Sequence, residues 1–256
     1  MRVDLGGQVA LVTGGTRGLG LATGLALGRS GAKVWLTHRW GSADEDALRA
    51  RFAEVGADEP RVVEADVGEP EDTRALISAI AAEHERIDLL VANACVAAVG
   101  GSLEALRRRD LARCLNASAY SLSEYVAQCR EHLGRAPTRI VAMSSDGVVN
   151  HHPRYDYVAL AKAALEALVR EQAGRDALVF ILRTRQSTTG GFEEVFGDKA
   201  LEQLERFAQF AVAPEEVADA VLACASGLLD GVAGQPLQVD HGAAWLDNVL
   251  TAEGLA

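Results

Sequence analysis

The sequence predicts an α/β fold: a single doubly wound parallel sheet of about seven strands with helices on both faces. Short apolar, β-branched runs alternate with longer stretches of helical periodicity, which is typical of strand–helix–strand units. The runs at 9–12 and 89–92 are continuously apolar, as expected of strands that are covered on both faces. No linker or repeat divides the 256 residues, so we expect one domain over residues 1–256.

The individual elements follow from the same periodicity. Strands are predicted at residues 8–13, 33–38, 61–64, 89–93 and 138–143, each followed by an amphipathic stretch. Helices are predicted to begin at Asp44, at the acidic run around Pro70 and at Pro214, because proline and carboxylates are favoured in the first helical turn. The stretch 184–212 fits no strand–helix rhythm, and we interpret it as an insertion that covers the ligand cleft.

Composition argues against several classes of protein. The formal net charge of −11 opposes a broad surface for nucleic acid or for an anionic membrane. No apolar run reaches the length of about 18 residues that a membrane-spanning helix needs, and the first residues show no export signal, so we expect a cytoplasmic protein. The four cysteines are scattered without metal-ligand spacing, so we expect buried, reduced thiols and no metal site.

A glycine-rich run, Thr13-Gly-Gly-Thr-Arg-Gly-Leu-Gly20, follows the first predicted strand and opens a helical pattern. Gly14 would permit a tight turn, Gly18 the close approach of the backbone to a pyrophosphate, and Gly20 the packing of helix on strand. This context predicts a dinucleotide site. Its candidate residues here are Gly14, Thr16, Arg17, Gly18, Leu19 and Gly20.

The end of the second strand indicates which dinucleotide binds. An NAD-binding protein places an Asp or Glu there to bind the ribose hydroxyls, whereas this chain has Thr37-His38-Arg39. Arg39, together with Arg17 in the glycine loop and with His38 nearby, could bind a 2′-phosphate through charge-assisted hydrogen bonds. We therefore predict NADPH as the cofactor; the alternative is that both arginines are ordinary surface residues.

The spacing T-G-x-x-x-G-x-G, with further segments along nearly the whole chain, resembles the short-chain dehydrogenase/reductase family and its Rossmann-type fold. The resemblance implies that Asp66, followed by Val67, binds the adenine amino group. It also implies cofactor contacts for Asn93 and Ala94, where the family usually has Asn-Asn-Ala-Gly. Cys95 in place of that glycine is a departure from the family pattern.

The catalytic segment also resembles the family, with one large difference. Ser145 ends a run similar to the family's fifth strand and catalytic serine, and Lys162 begins a similar active-site helix. The usual tyrosine of Tyr-x-x-x-Lys is replaced by Val158. On a helix, Tyr155 is nearly in phase with Lys162, whereas Tyr157 points well off that face. The resulting Tyr-x6-Lys spacing resembles the enoyl-acyl-carrier-protein reductases of the same superfamily.

Roles follow from this resemblance. Tyr155, set back by about one helical turn, would bind the enolate oxygen of a thioester. Lys162 would bind the nicotinamide ribose and favour an anionic or strongly hydrogen-bonded phenol. Ser145 would orient the substrate, and Asn116 would hold a water near the lysine. For each of these residues a purely structural role is the alternative.

Other segments depart from the family pattern. The run 180–185, similar to the sixth strand, lacks the usual Pro-Gly, and His241 replaces a glycine after the last strand. The segment between Lys162 and the sixth strand is about one helical turn shorter than expected. This helix usually contributes to the dimer contact in the family, and the resemblance implies a homodimer or homotetramer.

Three functional hypotheses remain open at this stage. The first is an NADPH-dependent reductase of an acyl thioester or polyketide-like substrate, either free or bound to a carrier protein. It would act on a conjugated C=C or on a C=O group. The second is a ketoreductase that uses Tyr157 or Tyr155. The third, from another class, is a non-redox cyclase, dehydratase or ligand-binding protein on a retained NADP fold.

Overall fold

The computed structural model describes residues 3–41, 43–98, 100, 102–152, 154–185 and 211–245. Most of the stretch interpreted as a cover for the cleft, 186–210, therefore lies outside the described residues. None of the helices in the described part is long and apolar enough to cross a membrane.

The described strands form one seven-stranded sheet in the order β3-β2-β1-β4-β5-β6-β7, and every neighbouring pair is parallel. This confirms the predicted fold class. The strands are β1 (Val9–Val12), β2 (Lys33–His38), β3 (Arg61–Glu64), β4 (Leu89–Ala92), β5 (Arg139–Ser145), β6 (Leu178–Thr184) and β7 (Pro236–Val239).

Seven α-helices connect or follow these strands within the described ranges. They are α1 (Gly18–Arg29), α2 (Glu45–Glu54), α3 (Pro70–Glu83), α4 (Arg108–Leu115), α5 (Ser121–Leu133), α6 (Asp156–Gln172) and α7 (Pro214–Ala225). All three predicted helix starts are confirmed: the Asp44 carboxylate accepts a hydrogen bond from Ala47 N at 3.0 Å, and proline occupies the first position of α3 and α7.

Helices cover both faces of the sheet, and the strands alternate between the two resulting cores. Ala10 and Val12 pack in the core that contains side chains of α1, α2 and α7. Val9 and Leu11 pack in the core that contains side chains of α3, α5 and α6. Successive side chains of a strand point to opposite faces of the sheet. Because each face packs against an apolar core, every residue of the strand is apolar and the sequence of β1 is continuously hydrophobic.

The strand order places the functional cleft. The chain passes from β3 at one edge of the sheet to β4 on the other side of β1. Helices leave the carboxyl ends of β1 and β4 in opposite directions at such a switch point, which creates a crevice where open α/β sheets bind ligands. Thr13 and Asn93, the residues that follow β1 and β4, meet there.

Candidate functional site

The glycine loop after β1 has the geometry that its sequence predicts. Gly14 and Gly18 have left-handed φ angles of 61° and 53°, which residues other than glycine rarely adopt. A Cβ atom on Gly20 would lie 2.4 Å from the Gly14 carbonyl oxygen and 2.6 Å from Asn93 Nδ2. The residue before α1, Arg17, is extended and does not cap the helix with its side chain, so the first turn can offer its backbone N–H groups to a phosphate.

Asn93 fastens this loop to β4. Its Nδ2 donates to the carbonyl oxygens of Thr13 and Gly14 at 2.8 and 3.0 Å. In return, Thr13 Oγ1 accepts hydrogen bonds from the backbone N–H groups of Asn93 and Ala94, both at 3.0 Å. Asn93 and Ala94 line the cleft, as the resemblance implies, and Asn93 fixes the ends of the two central strands to one another.

We expect the substitution Gly20→Ala to weaken the binding of a nicotinamide dinucleotide by about 5- to 150-fold, since overpacking at such a site costs about 1–3 kcal/mol. The added methyl group would displace either the Gly14 carbonyl or the Asn93 amide. Fluorescence titration measures the effect. Gly231→Ala is the control, because a Cβ there meets nothing within 4 Å; equal affinities in both variants would contradict the packing role of Gly20.

The adenosine end of the cleft is lined by His38, Arg39, Trp40, Asp66 and Val67. The Arg39 guanidinium lies 4.2 Å from the centroid of the Trp40 ring and 3.8 Å from Asp66 Oδ2. Among the described residues, the buried Nδ1 of His38 has no hydrogen-bond partner. Trp40 is 71% exposed and was not predicted; a lone tryptophan after two basic residues carries no motif that identifies it.

The other end of the cleft, which encloses about 620 Å³ in total, brings together three of the five predicted catalytic residues: Ser145, Tyr155 and Lys162. Val158, which replaces the usual family tyrosine, lines the same end. The apolar side chain therefore occupies the wall where a hydroxyl would otherwise stand.

Tyr155 lies at the N-cap of α6, one residue before the helix begins, and not within the helix as its phase relation to Lys162 assumed. Its carbonyl oxygen nevertheless accepts the first hydrogen bond of the helix, from Ala159 N at 2.8 Å. The helical periodicity therefore still relates Tyr155 to Lys162, and both residues line the cleft. Burial raises the pKa of Tyr155, the hydrogen bond with Ser145 opposes this, and the charge of Asp146 raises it further. The phenol is therefore held in its neutral, proton-donating form.

Lys162 is buried, and its Nζ donates to the backbone carbonyl of Met143 at 2.6 Å. The Tyr155 phenol is hydrogen-bonded to Ser145. The expected effect of Lys162, to favour an anionic or strongly hydrogen-bonded phenol, stays a prediction. The ammonium group lines the cleft and is fixed to the end of β5.

Tyr157 and Asn116 are not among the residues that line the cleft. Tyr157 is buried in a small cluster with Cys114 and Ala161, and its hydroxyl accepts a hydrogen bond from Arg107 N at 2.6 Å. The alternative in which Tyr157 is the acid is therefore wrong. Asn116 is exposed and opens a π-helical turn, Asn116–Tyr120; its proposed role in holding a water stays a prediction.

Cys95 contradicts the expectation of four buried thiols. It is exposed and lines the cleft, and the Ser118 hydroxyl donates to its Sγ at 3.4 Å. The remaining three cysteines, Cys114, Cys129 and Cys224, are buried.

We therefore expect a maleimide to label one cysteine per native chain, Cys95, and a bound nicotinamide dinucleotide to slow the labelling. The reason is that only this thiol is exposed and that it lies in the cleft. Peptide mass spectrometry identifies the labelled residue, and a Cys95→Ala variant serves as the unlabelled control. Labelling at an unchanged rate in saturating NADPH would show that the cofactor does not reach this part of the cleft.

A buried ion pair behind the cleft was not predicted. Glu166, one turn after Lys162 on α6, accepts two hydrogen bonds from Arg183 on β6 at 2.8 and 2.7 Å. It also accepts from the Ser144 hydroxyl at 2.6 Å. Burial alone favours the neutral acid, but the hydrogen bonds from Arg183 and Ser144 outweigh it and lower the pKa of Glu166. The pair joins the active-site helix to two strands of the sheet.

The charge of the cleft differs from that of the chain. The net charge is −11, yet among the described lining residues cationic side chains outnumber carboxylates, of which Asp66 is the single example. A positive cleft in an acidic protein attracts an anionic ligand, and with the glycine loop it fits a dinucleotide phosphate. The cationic lining residues are Arg17, Arg39, Arg113, Lys162 and Arg185. No metal-binding cluster of His, Cys, Asp or Glu occurs within the described ranges.

The fold and the glycine loop define a dinucleotide-binding α/β protein of the oxidoreductase type. A family model described as Enoyl-(Acyl carrier protein) reductase, which represents short-chain dehydrogenases/reductases, matches residues 14–244. The chain therefore belongs to the short-chain dehydrogenase/reductase family.

Individual relatives agree with this assignment. The 1-cyclohexenylcarbonyl-CoA reductase of Streptomyces collinus is 32% identical over 167 residues, which cover 65% of this chain and 58% of that protein. The match to a Cladobotryum short-chain dehydrogenase/reductase likewise spans only 63% of that relative. The 3-oxoacyl-acyl-carrier-protein reductase of Vibrio cholerae is 28% identical over 94% of this chain and 98% of its own length.

The fold agrees with solved structures. The crystal structure of a short-chain dehydrogenase from Burkholderia cenocepacia in complex with NADP has a TM-score of 0.78 and 27% identity. The match covers 95% of this chain and 100% of that chain.

Proposed function

We propose that the protein is an NADPH-dependent reductase that acts on the conjugated C=C bond of an acyl thioester. The observation that carries this proposal is the position of Tyr155. It is the one tyrosine that lines the cleft in the described part of the chain, and all four tyrosines of the sequence lie in that part. Its hydroxyl is hydrogen-bonded to Ser145, while the usual tyrosine position holds Val158.

Three residues of the chain would have separate roles in this reaction. Bound NADPH supplies the hydride. The neutral hydroxyl of Tyr155 donates a proton or a hydrogen bond to the thioester oxygen, on which negative charge develops as hydride reaches the β-carbon. The α-carbon then takes a proton from water, which completes the reduction of the C=C bond. Ser145 orients that hydroxyl and the substrate carbonyl. Lys162, fixed through the Met143 carbonyl, places a positive charge at the cleft and would hold the nicotinamide ribose of the bound cofactor.

The position of Tyr155 is the physical argument for a C=C bond. In a carbonyl reductase the hydride goes to the carbonyl carbon and the proton goes to the oxygen of that same carbonyl group. The residue that donates the proton must therefore lie next to the nicotinamide. In an enoyl thioester the hydride goes to the β-carbon and the charge develops farther away, on the thioester oxygen. A tyrosine three residues before the usual position suits that separation. The Streptomyces relative, named for reduction of a cyclohexenylcarbonyl thioester, supports this choice.

A second candidate, ketoreduction with Tyr155 as the acid, is favoured by one observation. The relative that matches nearly the whole chain is named as a 3-oxoacyl-acyl-carrier-protein reductase. The two candidates differ only in the substrate that is turned over, so one assay separates them.

The preference for NADPH is a further part of the proposal. Arg39 follows β2, Arg17 precedes α1, and both line the cleft; no carboxylate stands at the NAD-specific position. We expect Arg39→Ala to weaken NADPH binding by about 10- to 100-fold, the value of a charge-assisted hydrogen bond, and to leave NADH binding unchanged. Arg29→Ala, at the opposite end of α1, is the control. An equal loss of affinity for NADPH and for NADH would show that Arg39 does not bind the 2′-phosphate.

The decisive experiment is titration of the protein with NADPH and with NADH, followed by NADPH oxidation with a crotonyl thioester and an acetoacetyl thioester. Turnover of the crotonyl substrate supports the leading proposal, and turnover of acetoacetyl alone supports ketoreduction. Tight binding without turnover of either would oppose both and favour a non-redox cyclase, dehydratase or ligand-binding role. No binding of either cofactor would overturn the cofactor assignment.

Three associated statements are proposals of the same kind. The chain would act as one domain in the cytoplasm, the acyl group would arrive on a carrier protein, and the protein would form a homodimer or homotetramer. Leu160, an apolar side chain exposed on α6, is consistent with an interface there. Light scattering tests the assembly, and a monomer would overturn it.

A further inference from the structure

A buried carboxylate lies directly behind the active-site serine. Asp146 is 3% exposed and begins the short 3₁₀ turn Asp146–Val148. Its Oδ1 lies 3.0 Å from His152 Nε2 and accepts from the Ser145 hydroxyl at 3.4 Å. Burial opposes ionisation, but the hydrogen bond from His152 and other contacts lower the pKa of Asp146. Neither Asp146 nor His152 is among the cleft-lining residues.

Two more side chains complete the surroundings of this carboxylate. Asn150 Nδ2 donates to Asp146 Oδ2 at 3.4 Å, and Arg185 Nε lies 3.8 Å from the same oxygen. The carboxylate therefore joins the turn after β5, the loop before α6 and the end of β6. Buried charges of this kind persist where they are paired and hydrogen-bonded.

The same segment encloses the ring of Tyr155. The rings of His152 and Tyr155 meet edge to face, with centroids 5.9 Å apart and an interplanar angle of 87°. A Cβ atom on Gly147 would lie 2.7 Å from both Cδ1 and Cε1 of Tyr155 and 3.3 Å from Cδ2 of His152. Tyr155 N also donates to the His152 carbonyl at 3.2 Å. The Tyr155 ring therefore contacts both the turn after β5 and the imidazole.

We propose that Asp146 and His152 are positioning residues: their contact holds the loop before α6 so that the ring of Tyr155 packs on Gly147 and its hydroxyl meets Ser145. The inference rests on the proposed function, in which Tyr155 is the acid. A displacement of about 1 Å at an acid can cost about 100-fold in rate, and Tyr155, which stands before the first turn of α6, depends on this loop for its position.

The test compares variants of His152. His152→Leu removes the donor to Asp146, and we expect kcat to fall by about 10- to 100-fold with little change in the affinity for NADPH. His152→Gln keeps a donor near the same position, and we expect it to recover kcat to within about threefold of the wild type. Loss of kcat and NADPH affinity together, with no recovery in the glutamine variant, would indicate a general structural role and overturn the proposal.

A double-mutant cycle with Tyr155→Phe separates this inference from the function on which it rests. If His152 acts through the Tyr155 hydroxyl, the double variant is no slower than Tyr155→Phe alone. If His152→Leu slows both backgrounds equally, the positioning role is wrong while Tyr155 stays the acid. If Tyr155→Phe alone has no effect, the function assigned to Tyr155 fails, and this inference fails with it.

Gly147 provides a second test that keeps both Asp146 and His152 in place, although a Cβ there would also lie 3.3 Å from His152 Cδ2. Gly147→Ala pushes directly on the Tyr155 ring, so kcat is expected to fall in the wild-type background and to stay unchanged in the Tyr155→Phe background. The chain offers a matched control, since a second Asp-Gly-Val 3₁₀ turn, Asp230–Val232, carries Gly231 in open space. Equal kcat values for Gly147→Ala and Gly231→Ala would overturn the packing argument even where the His152 variants fail to fold.

Discussion

Replacement of Tyr155 by phenylalanine is expected to lower kcat for thioester reduction by about 10²- to 10⁴-fold, the contribution of a positioned general acid. The variant removes one oxygen and keeps the ring that packs against Gly147 and His152. Burial holds the pKa of this phenol above its ordinary value, so the wild-type group carries its proton at neutral pH. Steady-state NADPH oxidation measures the loss, and fluorescence titration should show that NADPH affinity is retained.

Tyr157→Phe is the matched control for this prediction. It removes the same oxygen two residues away, where the hydroxyl accepts from Arg107 N and does not reach the cleft. We expect its kcat per folded molecule to equal that of the wild type, with some loss of thermal stability because a buried N–H loses its partner. Loss of turnover in the Tyr157 variant and not in the Tyr155 variant would reverse the assignment of the acid.

Local patterns in the sequence predicted the scaffold and the cofactor loop well. Buried parallel strands are apolar on both faces, so β2 and β3 could be placed with their observed bounds. The glycine loop is similarly local, because the turn, the helix start and the positive φ angles all lie within 14–20. Helical phase also separated Tyr155 from Tyr157, although Tyr155 stands just before the helix.

Residues that depend on tertiary contacts were missed. Glu166 and Arg183 are 17 positions apart, and their pairing requires knowing which face of α6 packs on β6. The contact between Asp146 and His152 depends on the path of an irregular loop, which no periodicity indicates. Cys95 was expected to be buried because cysteine usually is, and only the course of the chain after β4 exposes it.

The second large effect concerns stability. We expect Glu166→Ala to lower the free energy of unfolding by about 3–5 kcal/mol, because it leaves a buried charge without its partner. The Arg183 side chain is 16% exposed and Glu166 is 2% exposed, so water can do little to replace the lost carboxylate. The Ser144 hydroxyl loses its acceptor in the same variant. Urea-induced unfolding, monitored by circular dichroism, measures the change.

Two further variants separate the cost of leaving a buried charge unpaired from the loss of the attraction between the two charges. The exposed pair of Arg61 and Glu83, at 2.9 Å, is the control, and Glu83→Ala should cost less than about 1 kcal/mol. The double variant Glu166→Leu with Arg183→Met removes both charges and should be far more stable than Glu166→Ala, since apolar replacement of a whole buried pair is often neutral. A double variant as unstable as Glu166→Ala would mean that lost packing, and not the unpaired charge, explains the effect.

The pH dependence supplies an independent test of the same pair. The pKa of Glu166 is lowered from its ordinary value of 4.5, so its contribution to stability is complete above that pH and is lost as the pH falls through the lower, folded-state pKa. The difference in unfolding free energy between the wild type and Glu166→Ala should therefore be largest near neutrality and should narrow below about pH 4. A difference that stayed constant down to about pH 3 would show that the ionised carboxylate is not the stabilising species.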